Sequence, residues 1–363
     1  VTDTMLSGII EPLKTSPPDF SVGQAVALVQ RHYGMQAQAT QLTSERDQNF
    51  RMRTADGQLF VLKIANTAEC HEVATFQTAA LNHVAQVDPG LPVPRVIRTM
   101  DGQHNFLIPV GSQQAVVRML SYLEGEPLYK APKSRQQRFN IGQLSARLSL
   151  ALRDFQHRAA SHEILWDIEN ASHLRQLLVH IPDENNRALA ERFLRRFDAN
   201  VMPVLPLLRT QVVHNDLNPH NLLVDPENRD RVAGILDFGD MVRTALINDV
   251  AITASYLLST EGNPLAPVVD MLQGYQSVSR LEWTEISLLV DLIATRYVMN
   301  VAITGWRAAR YPENKAYILR NNEAAWAGLR CLDACSLSDL QHYLRTECYA
   351  VTTRSPQWEV KRP

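Results

Sequence analysis

Asp216, Asn221 and Asp237 are residues whose types and spacing could do chemistry. Asp216 and Asn221 stand five positions apart in His214-Asn215-Asp216-Leu217-Asn218-Pro219-His220-Asn221, and Asp237 opens Asp237-Phe238-Gly239-Asp240. Phosphoryl transfer asks for such a set. The attacking hydroxyl needs a carboxylate to position it and accept its proton. The polyphosphate donor needs Mg²⁺ held by oxygen ligands, and Asp237 with Asn221 offers a carboxylate and an amide oxygen.

These side chains need a scaffold. Leu222–Val224 and Val232–Leu236 are apolar strand formers around the polar turn Asp225-Pro226-Glu227-Asn228-Arg229-Asp230, which predicts a hairpin. Asp216 and Asn221 precede its first strand, and Asp237 leaves its second. Lys63 sits in the apolar strand Phe60-Val61-Leu62-Lys63-Ile64. An ammonium there is costly to bury alone, so the sequence predicts an acidic partner. The helix expected over Glu69–Val87 supplies candidates: Glu72 first, with Glu69 and Gln77 as alternatives.

Order, spacing and hairpin context follow the protein-kinase pattern of catalytic Asp, metal-binding Asn and Asp-Phe-Gly. His214-Asn215-Asp216 in place of His-Arg-Asp resembles the small-molecule branch, the aminoglycoside phosphotransferase and choline kinase superfamily. Leu236-Asp237-Phe238-Gly239-Asp240-Met241 and Asn248-Asp249-Val250-Ala251 look most like hydroxylysine kinases. The resemblance spans about residues 20 to 340 and is weak past 280. It implies an α+β, two-lobed protein-kinase-like fold, with a β-rich N-lobe over 1–123 and a larger, mostly helical C-lobe over 124–363. It implies ATP or GTP as donor, with Mg²⁺. Asp216 would act as base, Asn221 and Asp237 as metal ligands, and Lys63 as the contact to the α/β-phosphates. Ser121-Tyr122-Leu123 would be the hinge that reads the purine, with Ser121 and Leu123 as nucleotide contacts. Asp249 would brace the catalytic loop, and His214 would hold its shape through backbone hydrogen bonds.

The sequence departs from the pattern at one place. The turn expected to cover the phosphates, Ser44-Glu45-Arg46-Asp47-Gln48, has no glycine. Its backbone N–H groups and the Ser44 hydroxyl could still bind phosphate, and hydroxylysine kinases carry a similar Glu-Arg-Asp-x-Asn-Phe run.

Around these motifs, helices are expected over Asp19–Tyr33, Ser134–His157, Arg187–Val201, Ala245–Leu258, Leu265–Val278, Glu282–Arg310, Asn314–Leu332 and Ser336–Thr346. Strands are expected over Gln38–Thr43, Asn49–Thr54, Leu59–Ile64, Arg95–Thr99, Asn105–Pro109 and Gln114–Leu123. Residues 1–18 read as an irregular lead-in and the tail from Thr352 as frayed.

The acceptor is read from scattered charges. Asp240, beside the phosphoryl site, with Glu124 and Glu126 suits an ammonium. Arg296 could pair with a carboxylate, and Trp306, Trp283 and Tyr297 offer aromatic faces to a cation. A small amino alcohol or hydroxy-amino acid fits, 5-hydroxylysine first, with choline, ethanolamine, homoserine and aminoglycosides behind it.

The net charge of −2, from 36 basic and 38 acidic residues, suggests no nucleic-acid or anionic-membrane partner. No uninterrupted apolar run reaches the length of a membrane span. Asp3 and Glu11 argue against a signal peptide. Four cysteines without a Cys-x-x-Cys pair suit reduced thiols in a cytoplasmic protein. Two rivals remain. A protein kinase needs a long segment ending in Ala-Pro-Glu after Asp-Phe-Gly, and the apolar helix with Asp249 leaves no room for it. A non-catalytic nucleotide-binding module would lack one of the lysine, base or metal Asp, and all three are present.

Overall fold

The computed structural model describes residues 15–44 and 46–350. Asp3 and Glu11, the lead-in up to residue 14, Glu45 and the tail from Thr352 lie outside the described residues. The chain divides into two compact units. The first takes the chain up to Pro132 with Arg147–His173 and Thr210–Leu246, and the second takes Lys133–Ala146, Leu174–Arg209 and the chain from Ile247.

In the first unit, helix α1 (Val22–Tyr33) begins at Ser21, whose side chain accepts from the Gln24 N–H while Gln24 returns a bond to the Ser21 N–H. Six strands form its main sheet: β1 (Ala37–Leu42), β2 (Gln48–Thr54), β3 (Leu59–Ile64), β4 (Val96–Ile97), β5 (Phe106–Val110) and β6 (Gln113–Ser121). Their order is β1-β2-β3-β6-β4, with β5 also paired to β6. The strand expected over Arg95–Thr99 shrinks to two residues, because Thr99 turns toward Gln103 through backbone and hydroxyl bonds.

The antiparallel register places Phe50 opposite Leu62, Met52 opposite Phe60, and Leu62 opposite Met119. These buried side chains, with Ala25, Val29 and Tyr33 of α1, form the core on one face. Side chains alternate along a strand. The same register therefore sends Asn49, Lys63 and Arg118, mutual neighbours in β2, β3 and β6, to the other face. Helix α2 (His71–Val87) lies there, since Arg118 Nη1 donates to the Ala74 carbonyl at 2.8 Å and the guanidinium also bonds Gln77 Oε1.

Two short sheets complete this unit: β7 (Glu126–Pro127), β9 (Leu222–Val224) and β10 (Val232–Ile235) in the order β10-β9-β7, and β8 (Thr210–Val213) paired with β11 (Val242–Ala245). The expected hairpin is β9–β10. The pair β8–β11, read from Val213↔Val242 to Thr210↔Ala245, was not expected, and it clamps the two ends of the segment that carries Asp216, Asn221 and Asp237.

The second unit is helical: the start of α3 (Arg135–Leu152), then α4 (Glu184–Arg196), most of α5 (Leu246–Ser255), α6 (Ala266–Gln276), α7 (Trp283–Arg310), α8 (Lys315–Ile318), α9 (Asn322–Asp333) and α10 (Leu337–Ala350). α3 and α6 cross at close range. A Cβ on Gly142 would meet the Met271 carbonyl oxygen at 1.9 Å, and one on Gly274 the Phe139 carbonyl oxygen at 1.9 Å. The helix expected over Asn314–Leu332 is broken after Ile318, where the Asn322 N–H bonds the Leu319 carbonyl in a turn. α3 stops at Leu152 rather than His157, whose ring caps the following turn by accepting from the Ala159 N–H. α7 carries an 18-residue window of mean hydropathy 1.6, apolar enough for a membrane span although charged residues interrupt it. Of that window 89% is buried inside the protein, which marks a core helix.

Candidate active site

The catalytic segment leaves β8 at Val213 and turns at once. Asn215 has φ 65°, a left-handed conformation that asparagine tolerates better than most residues. That reversal needs a brace, and His214 supplies it. Its ring is fully buried, Nδ1 accepts from the Asp216 N–H at 3.2 Å, and Nε2 lies 2.9 Å from the Leu236 carbonyl. Burial lowers the His214 pKa, so the ring is held neutral with both nitrogens engaged.

Asp216 and Asn221 are brought together as their spacing predicted. Asn221 Nδ2 donates to Asp216 Oδ2 at 2.7 Å and to its carbonyl at 3.0 Å. With its amide N–H₂ so directed, the Asn221 Oδ1 remains as an acceptor for a cation. The Leu236 N–H bonds the Asn221 carbonyl at 2.7 Å, which ties β10 to the loop just before Asp237.

Asp237 also has a left-handed backbone, φ 54°, and its Oδ1 accepts from the Gly239 N–H at 3.2 Å. Its side chain is half exposed and lies 3.6 Å from the Lys63 ammonium. That ammonium, with Arg46 further off, holds the carboxyl down at about 2. An ionised carboxylate and an amide oxygen are the hard ligands Mg²⁺ takes, with its remaining positions filled by phosphate oxygens and water. Among the described residues no group of three or more His, Cys, Asp or Glu gathers to hold a metal alone.

Lys63 has the acidic partner its setting demanded, but not the expected one. Its Nζ lies 2.8 Å from Asp47 Oδ2, both side chains being nearly buried. Glu72 instead reaches outward to Arg158 at 2.7 Å. Position 72 is on the first turn of α2 and its side chain is about half exposed, so helix membership alone did not identify the partner. Gln77 and Glu69 bond each other at 2.6 Å. Burial, and then the Asp47 charge, raise the Glu69 pKa.

The glycine-free turn therefore points into the site. Arg46 Nη2 lies 2.6 Å from Asp240 Oδ1. Asp240, expected as a contact to a substrate ammonium, is thus already paired. A cavity of about 220 Å³ opens beside this pair, lined among others by Asp47, Glu69, Glu163, Trp166, Gly239 and Asp240. Arg46 and Asp47 were missed as site residues. The signal for them was the charged Glu-Arg-Asp run standing where glycines are usual.

Ser44 is half-buried at the end of this turn. At the expected hinge, the Ser121 N–H bonds the Arg95 carbonyl, its Oγ accepts from the Arg95 N–H, and the Tyr122 N–H bonds the Leu59 carbonyl. Leu123 lies near Gly234, where a Cβ would approach its Cδ1 to 3.1 Å. Glu124 is exposed, and Glu126 pairs with Arg229 at 2.8 Å.

In the helical unit, Asp249 is buried in α5. Arg296, 4% exposed, lines a separate cavity of about 300 Å³ with Lys133, Tyr256, Tyr297 and Asn300. Trp306, half-buried on α7, does not line it, and Trp283 is exposed and stacks on Tyr349.

Residues 38–289 match the family described as APH, Phosphotransferase enzyme family. Hydroxylysine kinase of Mus musculus is 32% identical, over 95% of this chain and 96% of that protein. Hydroxylysine kinase of Danio rerio is 32% identical, over 84% of this chain and 89% of that protein. Among solved structures, an amicoumacin kinase in complex with AMP-PNP, Ca²⁺ and Ami superposes with a TM-score of 0.66 at 15% identity, covering 88% of this chain and 97% of that one. A microcompartment-associated aminopropanol kinase gives 0.59 at 16%, covering 90% and 99%. The backbone likeness shows the α+β kinase-like fold.

Proposed function

Because the chain belongs to the phosphotransferase enzyme family, we propose that it moves the γ-phosphoryl group of ATP or GTP, with Mg²⁺, to the hydroxyl of a small cationic acceptor, 5-hydroxylysine first. The observation that carries this reading is the assembly of Asp216, Asn221, Asp237 and Lys63 around one segment. Asp216 orients the acceptor hydroxyl and takes its proton. Asn221 and Asp237 hold the cation, which supplies charge neutralisation on the phosphates when bound. Lys63 steadies the α/β-phosphates once they replace Asp47 as its partner. Ser44 and the hinge at Ser121 and Leu123 complete the nucleotide contacts, while His214 keeps the loop in shape. Alignment and fixed charge, rather than covalent catalysis, supply the rate.

One observation supports the acceptor class: carboxylates outnumber cations around the cavity beside Asp240, and Trp166 adds an aromatic face. The curated relatives carry the name hydroxylysine kinase. The reading extends to a cytoplasmic setting and a small-molecule acceptor. The test is turnover with Mg²⁺ and ATP or GTP on hydroxylysine, ethanolamine, choline, homoserine and an uncharged sugar. Cationic acceptors should lead by at least about tenfold in kcat/KM, roughly 1.4 kcal/mol. Phosphorylation of the sugar alone would refute the acceptor class.

A further inference from the structure

The Arg46 guanidinium, carried by the turn between β1 and β2, has no part in the function as stated above. This turn lacks the glycines that ease a close backbone approach to phosphates, yet it delivers a guanidinium to the site. We propose that Arg46 is a catalytic residue that donates to the equatorial oxygens of the γ-phosphoryl group as it moves. The inference rests on the kinase reading above.

Four observations place it. Arg46 Nη2 donates to Asp240 Oδ1 at 2.6 Å, and Asp240 follows Asp237-Phe238-Gly239 directly. The guanidinium lies against that segment, since a Cβ on Gly239 would come within 3.3 Å of Nη2. The turn is anchored behind it: Asn66 Nδ2 donates to the Arg46 carbonyl at 3.0 Å, and the Asn66 N–H donates to Asp47 Oδ1 at 3.0 Å. The side chain is 32% exposed and borders the 220 Å³ cavity, so a ligand can reach it. Asp240, then Asp237 and Asp47, make the guanidinium more basic, and it stays charged at every working pH. A guanidinium has five N–H donors in a planar fork that matches phosphate oxygens, and Asp240 engages one edge. Asp240 is then a positioning residue that aims Arg46.

In the step, the acceptor oxygen forms a bond to Pγ as the bond from Pγ to the β-bridging oxygen breaks. The electron pair leaves with the nucleoside diphosphate, and the hydroxyl proton passes to Asp216. Arg46 stabilises the charge spread over the three equatorial oxygens of the moving group.

The experiment uses the full chain with Mg²⁺ and nucleotide, and hydroxylysine or ethanolamine as acceptor. Arg46→Gln should lower kcat roughly 10²–10³-fold for both acceptors, with each KM changed by less than about threefold. Free guanidinium ion should restore part of the turnover of Arg46→Ala. If Arg46 only neutralises Asp240, the double variant Arg46→Gln/Asp240→Asn will recover activity, and the proposal is overturned. It is also overturned if the loss appears as a raised KM for hydroxylysine and not for ethanolamine, which would make Arg46 a contact to the acceptor carboxylate. Should Arg46→Gln fail to fold, Arg46→Lys keeps the charge without the fork and should still lose at least about tenfold in kcat. Wild-type protein inactive on every acceptor would refute the kinase reading itself. Active wild type with an equally active Arg46→Gln would refute this inference alone.

Discussion

Asp47→Asn isolates the charge that holds Lys63. The substituted amide oxygen can still accept from the Asn66 N–H, as Asp47 Oδ1 does at 3.0 Å, so the turn keeps its anchor. What is lost is the 2.8 Å ion pair between side chains 11% and 13% exposed. At an effective dielectric near 20, that separation corresponds to roughly 6 kcal/mol of attraction, much of it offset by desolvating both groups. Breaking such a pair leaves a buried charge behind, typically at about 3–5 kcal/mol. Asp237 remains 3.6 Å from Lys63, but its side chain is half exposed and solvent screens it to about 1 kcal/mol. We therefore expect the variant to be about 2–4 kcal/mol less stable in urea at pH 7. The gap should depend on pH in a defined direction. Lys63 and neighbouring groups hold the Asp47 carboxyl below its ordinary value against the cost of burial. Its contribution is present above the ordinary carboxylate range and is lost as pH falls through the folded value, so the two proteins should converge in acid. Nucleotide with Mg²⁺ should act in the opposite sense. In the wild type the phosphates must displace Asp47 from Lys63; in the variant the ammonium is open. Nucleotide should thus bind Asp47→Asn up to about tenfold more tightly, adding about 1.4 kcal/mol to ligand stabilisation. Equal urea stability of the two proteins would refute the pair's role. Equal nucleotide affinity would refute the displacement.

Asp216→Asn should keep nucleotide binding by calorimetry and lose roughly 10²–10⁴-fold in kcat, because it removes the base and leaves the loop. Asp237→Ala should abolish the Mg²⁺-dependent part of the thermal shift with nucleotide; an unchanged Mg²⁺ titration would move the metal site elsewhere. Since the Asp237 carboxyl is held at about 2, lowering pH from 8 to 5 should not weaken Mg²⁺–nucleotide binding through this group, and a loss in calorimetry that follows its protonation would contradict the assignment.

Much of the fold was legible because periodicity and burial agree. β3 and β9 fall at the expected residues, and the long helices differ by a few residues at their ends, except the one expected over Asn314–Leu332, which is broken. The short pair β8–β11 was not legible. Four-residue strands far apart in the chain have no local turn to announce them, and their pairing depends on the segment they enclose. At the site, Asp216, Asn221 and Lys63 could be read because loop spacing and strand alternation are local properties. The partner of Lys63 could not. Glu72 and Asp47 were both acids near enough in sequence, and only the register that sets Asn49 opposite Lys63 brings the β1–β2 turn over the ammonium. Asp240 was read as an acid open to substrate for the same reason: its ion pair is made by a residue of the opposite end of the unit, Arg46.

These corrections share a cause. A site built to take a polyphosphate and a cation must hold charges of both signs before either arrives, and unpaired ones are costly. Here Lys63 meets Asp47 and Arg46 meets Asp240, each pair joining the glycine-free turn to an element of the catalytic site. The two pairs neutralise the site with residues from one short turn. Incoming phosphates would take the place of Asp47 at Lys63 and bind the remaining N–H groups of Arg46, with the cation offsetting the added negative charge. A glycine-rich turn offers backbone N–H groups and no such exchange, so the charged run is the feature by which this chain should differ in salt dependence. Because the exchange replaces internal ion pairs with ligand contacts, nucleotide affinity should fall less steeply with added salt in the double variant Arg46→Gln/Asp47→Asn than in the wild type, where phosphate contacts by both cations are screened. Parallel slopes between low and moderate ionic strength would show that Arg46 does not meet the phosphates.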